Sequence, residues 1–142
     1  MRYAILCDAQ WRVRSLTVQP LSGGEALELL ADGQGRWTTS PGDPLPGLDG
    51  CIDADISATP FTNTLPIRRL GLRTGESIDL KVAYVAAPGL GVEPDGQRYT
   101  CPKEGELYRY ESLESDFMAD LRVDADGLVL DYLGLFRRIS TG

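Results

Sequence analysis

A mainly β fold follows from three observations on this chain. Apolar residues recur with a period of two, clusters of Gly, Asp and Pro punctuate them at short intervals, and no stretch keeps a helical period. Strands joined by tight turns pair antiparallel into a meander, and strand twist curls such a sheet toward a barrel. The expected architecture is a single curled antiparallel sheet forming an incomplete barrel. Residues 1–142 make one β-rich domain, with one or two short helices near the Pro60 to Leu72 segment.

The opening strands are Tyr3 to Leu6 and Trp11 to Gln19, joined at Asp8-Ala9-Gln10. Trp11, Val13 and Ser15 share one face, but the apolar residues then switch to Leu16 and Val18, which predicts a bulge or a change of buried face. Ala26 to Ala31 and Arg36 to Thr39 flank Asp32-Gly33-Gln34-Gly35, a hairpin with strong turn residues. A Pro/Gly-rich loop from Ser40 to Gly50 is too short to divide domains, and Cys51 to Ile56 reads as a short strand.

The run PFTNTLPIRRL, Pro60 to Leu70, holds the chain's one asparagine, Asn63. Proline fixes its own φ and pushes the preceding residue out of the α region, so Thr59 and Leu65 are expected extended, with Pro66 opening a short helix. Thr62, Asn63 and Thr64 then fall where capping and turn chemistry belongs. Beyond it, Ile78 to Ala86 is a strand and Pro88 to Gly96 a loop with a brief extended piece. Gln97 to Cys101 and Leu107 to Ser112 are strands. In Phe117 to Val123, the apolar set Phe117, Ala119, Leu121 and Val123 opposes Met118, Asp120 and Arg122. Asp124-Ala125-Asp126-Gly127 makes the turn to a return strand carrying Leu128, Leu130 and Tyr132.

A net charge of -7 argues against a nucleic-acid backbone or an anionic membrane as partner. No apolar run approaches the ~20 residues of a transmembrane helix. Met1 to Asp8 holds too short an apolar stretch for a secretory signal. Three cysteines, Cys7, Cys51 and Cys101, are an odd number without a C-x-x-C pair and suit a reducing compartment. The expected location is the cytoplasm. Arginine far outnumbers lysine, a bias that serves either as forks for phosphate and carboxylate or as a mark of GC-rich coding.

The chain contains no histidine, which removes Ser-His-Asp and Cys-His catalysis, the H-E-x-x-H zinc site and most imidazole acid–base schemes. Asp53 and Asp55, at i and i+2 of a strand, share a face about 7 Å apart. That spacing suits a glycosidase carboxylate pair or a hard cation, and equally an ion pair with Arg68 or Arg69. Those two arginines, being adjacent, cannot do the same job; one pairs with an internal carboxylate or a ligand while the other is solvated. Asp124 to Gly127 lacks the remaining ligands of a calcium loop, and the Gly33/Gly35 and Gly89/Gly91 pairs lack a strand-to-helix context. Asn63-Thr64-Leu65 is not a glycosylation acceptor. No catalytic residue, metal site or cofactor is assigned.

PFTNTLPIRRL resembles the signature of a bacterial family of putative glycolipid-binding proteins. Agreeing pieces follow in order: Cys7-Asp8 with Trp11-Arg12, Gly50 to Asp55, Gln97-Arg98-Tyr99, Tyr108 to Ser112, and Asp126 to Val129 running to Gly134 to Arg138. Members are usually longer at the N-terminus by roughly two strands, so the resemblance implies either a misplaced start site or a shortened member, the latter with incomplete sheet closure. Leu133 stands where the family tends to have proline. The resemblance implies a pseudo-barrel similar to periplasmic lipoprotein carriers, with an apolar cavity, and the family's functional label rests on that likeness of fold.

The first functional expectation is a non-catalytic carrier or sensor for an amphiphile such as a lipid or glycolipid. Its polar head would sit near Asn63, Thr64, Arg68, Arg69, Asp53 and Asp55. Its apolar part would lie among Trp11, Tyr99, Tyr108 and Tyr110, with Phe117 and Phe136 as further inward candidates that serve equally as core. A sugar-processing hydrolase using Asp53 and Asp55 is the second expectation. The third is a scaffold, dimerising through an open edge strand.

Overall fold

The computed structural model describes residues 2–20, 23–57, 61–86, 90–133 and 136–137. The class is mainly β, as the periodicity predicts, but there are two sheets rather than one. The first is antiparallel, in the order β1 (Arg2–Cys7), β2 (Val13–Gln19), β3 (Leu27–Ala31), β4 (Trp37–Thr39). The second runs β11-β10-β9-β8-β7-β6-β5 and curls into a half-barrel. Its strands are β5 (Asp53–Ile56), β6 (Ser77–Ala86), β7 (Gly91–Lys103), β8 (Leu107–Ser112), β9 (Met118–Val123), β10 (Val129–Leu133) and β11 (Phe136–Arg137).

The second sheet is mixed, against the expectation of a purely antiparallel one. The helix α1 (Phe61–Leu70) carries the chain from the end of β5 back to the start of β6, and such a crossover leaves its two strands parallel. Asp53 therefore stands beside Val82 and Asp55 beside Tyr84.

The switch of apolar face in the second strand is a bulge. Leu6 pairs with Ser15 but Cys7 with Val13, so Arg14 is the extra residue, and Val13, Leu16 and Val18 all end at 0% exposure. At Asp32 the side-chain carboxylate accepts from the backbone N–H of Gln34 and of Arg36, closing the expected hairpin.

Two local expectations are overturned. Leu65 is helical rather than extended, and Pro66 lies inside α1 rather than opening it. An interior proline costs a helix about 3 kcal/mol. Thr62 to Ile67 are all buried, and the packing and side-chain hydrogen bonds of this run outweigh that local cost. Residues 91–96 are strand, not loop. Pro94 faces Ala83 on β6, whereas β8 begins its pairing with β7 only at Gln97, so the missing N–H of Pro94 falls on an unpaired edge. Thr59, Pro60, Pro88 and Gly89 lie outside the described residues.

Alternation assigns each sheet face. Ala54, Ile56, Ala83 and Val85 pack against Val13, Leu16, Val18, Leu29 and Trp37 of the first sheet. On the opposite face, Tyr99, Tyr108, Tyr110, Leu121 and Val129 form a second core with Ile67 and Leu72. The helix joins the two, because Leu65 reaches the first cluster and Ile67 the second. Cys51 and Cys101, both free thiols, fill small sites in one core each, and burial pushes the Cys51 thiol up to about 11. No helix among the described residues is long and apolar enough to cross a membrane.

Candidate functional site

The polar residues of α1 turn inward. Asn63 donates its amide to the Tyr99 hydroxyl at 2.8 Å, with both residues buried. The Thr64 hydroxyl donates to the Gly127 carbonyl at 2.8 Å and ties the β9–β10 turn to the helix. Gly127 has a φ of +78°, and a Cβ there would lie 3.1 Å from Cδ of Arg68, so only glycine lets the turn dock this closely.

The two arginines diverge as adjacency requires. Arg69 forms a bidentate pair with Asp53, Nε to Oδ1 at 3.0 Å and Nη2 to Oδ2 at 2.7 Å, and the Asp53 side chain is 0% exposed. Arg68 is exposed, donates to the Asp126 carbonyl at 2.7 Å and lies 4.5 Å over the Trp11 ring. Trp11 has a φ of 64°, a left-handed conformation that only a few per cent of non-glycine residues adopt. Its backbone N–H donates to the Asp8 carbonyl within a turn that Asp8 also caps through its carboxylate.

Asp53 and Asp55 share a face, as their spacing predicts, and anchor the two ends of the helix. Asp55 accepts from the Thr62 hydroxyl at 2.9 Å and from the Gln97 amide at 2.9 Å, and the same Gln97 nitrogen donates to Asp95 at 3.0 Å. Burial pushes both Asp53 and Asp55 carboxyls above the ordinary 3.8, opposed by Arg69 at Asp53 and by Gln97 and Thr62 at Asp55. Burial also pushes the Tyr110 phenol up, reinforced by the charges of Asp55 and Asp95. Among the described residues, every buried side-chain nitrogen and oxygen has a hydrogen-bond partner, and no three Cys, Asp or Glu side chains converge to hold a metal ion.

The structure thus brings buried Asn63, Tyr99 and Tyr110 together with the half-buried Asp55 in one polar and aromatic cluster, with Tyr99 and Tyr110 edge to face at 5.7 Å. Tyr108 lies in the same core, its hydroxyl receiving the Gly105 N–H at 3.1 Å and hydrogen-bonding with the Cys101 thiol. Trp11 and Arg68 stand apart, at the turn of the first sheet. Phe117 is 38% exposed, though its ring lies 5.8 Å from that of Tyr110. The side chain of Phe136 lies outside the described residues.

A groove of about 450 Å³ runs along β6, lined by Gly50, Ile52, Arg69, Leu70, Leu80 and Lys81, with Ile78, Asp79, Gly96 and Leu113 completing it. It exists because β5 is short. That strand pairs only with Val82 to Val85, so the stretch Ser77 to Lys81 keeps one ladder edge clear of β5. Gly50, with a φ of 91°, lies beside Lys81 just before β5 begins. Of the ten residues expected at a binding site, only Arg69 reaches this groove. Ile52, Ile78, Leu80, Lys81 and Leu113 were passed over, because strict alternation marks β6 as a strand but says nothing of how far its neighbour extends.

Residues 1–138 match the model of a family described as putative glycolipid-binding. Among solved structures, the chain is similar to a DUF1089-family protein of Pseudomonas aeruginosa at 46% identity and a TM-score of 0.89, covering 96% of this chain and 76% of that one. No curated protein matches.

Proposed function

The chain belongs to the putative glycolipid-binding family, and from that premise we propose that it binds an amphiphile, a lipid or glycolipid, without catalysing a reaction, in the groove along β6. The observation that carries this reading is the mixed lining of that groove. Ile52, Leu70, Ile78, Leu80 and Leu113 offer apolar surface beside the Arg69 guanidinium, the Lys81 ammonium and the stretch of β6 before Val82 that β5 does not pair with. Apolar walls with a few placed polar groups, in a volume of roughly 300–1,000 Å³, are what small-ligand sites share. Each methylene buried contributes about 0.8 kcal/mol, so half of a ten-carbon tail supplies roughly 4 kcal/mol before ordering costs.

Hydrolysis by Asp53 and Asp55 has less support. Asp53 has no exposed side-chain surface and is held by Arg69, and Asp55 is committed to Thr62 and Gln97. The test is direct. Freshly purified protein should show a co-purifying lipid-sized mass by native mass spectrometry, or a raised melting temperature with dodecyl glucoside. Ile78 and Leu113 are 39% and 45% exposed, so Ile78→Asp and Leu113→Asp should abolish that shift at a stability cost of about 1–2 kcal/mol each. A wild-type protein that is empty and unmoved by acylated sugars overturns the reading.

A further inference from the structure

We infer that the groove selects an amphiphile bearing a single anionic group, a phosphate or carboxylate, and that Lys81 is the residue that recognises it. The inference rests on the groove being the binding site and assigns its charge preference. The lining carries three charges of interest, and two are neutralised within the protein. Arg69 is held bidentate by Asp53 at 2.7 and 3.0 Å, and Asp79 is held by Arg98, Nε to Oδ1 at 2.6 Å and Nη2 to Oδ2 at 3.1 Å. Lys81 has no such partner. Among the described residues no carboxylate lies within ion-pair distance of its ammonium, which donates to the Asp49 carbonyl at 3.4 Å.

The surrounding acids do not replace one. Glu114 turns its carboxylate to the Gly96 N–H at 3.4 Å, and Asp49 meets Lys81 through its backbone. This uncompensated cation stands on a chain of net charge -7, in which it is one of two lysines. The other, Lys103, is paired with Glu106 at 2.9 Å. A cation set beside Ile78, Leu80 and Leu113 complements a headgroup with one negative charge and a tail lying along β6. A compact ammonium on a flexible stem also suits a point charge better than it suits the planar, bidentate match that arginine makes.

The experiment compares three probes on the intact chain by calorimetric titration, below the micelle concentration of each amphiphile. They are dodecyl phosphate, dodecyl glucoside and inorganic phosphate. Dodecyl phosphate should bind about fivefold more tightly than the glucoside at low salt, an advantage of the size expected for a partly exposed ion pair, and the ratio should shrink as salt rises. Lys81→Met should bring the two affinities together, and Lys81→Arg should keep most of the preference. Equal affinities for both amphiphiles in the wild type, or a preference that survives Lys81→Met, overturn the charge assignment while leaving the groove as a binding site. Inorganic phosphate binding as tightly as dodecyl phosphate overturns it too, since the tail then contributes nothing. No binding by either amphiphile removes the groove reading itself.

Discussion

Arginine meets aspartate both under α1 and along the edge of β6, and the two regions differ in what is left over. Beneath the helix, Arg69 closes on Asp53, Asn63 on Tyr99, Thr64 on Gly127 and Asp55 on both Thr62 and Gln97. Along β6, Asp79 is satisfied by Arg98 but Lys81 is not matched, and Ile78 and Leu113 remain in contact with solvent. The first region is a lock and the second has room for a guest. Polarity written into a sequence does not separate the two; the closing of each donor on an acceptor does.

The lock can be broken at its ion pair. Arg69→Ala leaves a carboxylate with no exposed surface and no counter-charge, which should cost about 3–5 kcal/mol in urea unfolding. The penalty should shrink at low pH, where Asp53 takes up a proton and no longer needs a partner. A loss below about 1 kcal/mol at neutral pH would show that water reaches Asp53 and that the pair is not a lock.

A smaller effect is expected at the helix start. Asn63→Ala removes one hydrogen bond of the buried Tyr99 hydroxyl and should cost about 1–2 kcal/mol, with part of it recovered if Tyr99→Phe is made in the same chain. Additive losses in the two variants would mean that the bond contributes nothing.

The smallest effect is a slope. The folded-state carboxyl of Asp55 lies above the ordinary 3.8, so the folded chain holds a proton that the unfolded chain has released in the window just above that value. Its contribution to stability is therefore greatest below the window and falls as pH rises through it. Asp55→Asn removes this dependence, and should gain on wild type as pH increases from about 4 toward neutrality. A variant whose deficit is constant across that range would place the Asp55 carboxyl at its ordinary value.

The sequence made parts of this comparison legible. Alternation located β2, β6, β8 and β9, and the apolar switch after Ser15 marked the bulge that sends Leu16 and Val18 to full burial. It also showed that Arg68 and Arg69 must separate. The helix was misread because the rule for residues before proline is local, whereas Leu65 and Ile67 are fixed by two cores that the rule does not see. The direction of β5 is hidden for a related reason, since a strand of four residues looks the same in a parallel or an antiparallel pair. Gln97 and Lys81 carried no local signal. Gln97 matters because Asp55 and Asp95 arrive from β5 and β7 on its two sides, and Lys81 because an adjacent strand stops one residue short of it.

The width of that opening is governed from a distance. Gly35 and Gly50 touch back to back, the Gly50 N–H donating to the Gly35 carbonyl at 2.8 Å, and a Cβ on Gly35 would come within 3.2 Å of the Gly50 backbone. Lys81 flanks Gly50 on the other side, 4.0 Å from where its own Cβ would stand. Any side chain at position 35 would wedge the 50–52 segment toward β6. A hairpin of the first sheet thereby sets the aperture of a crevice in the second, so the calibre of the entrance can be tuned without touching a single residue that a guest would meet.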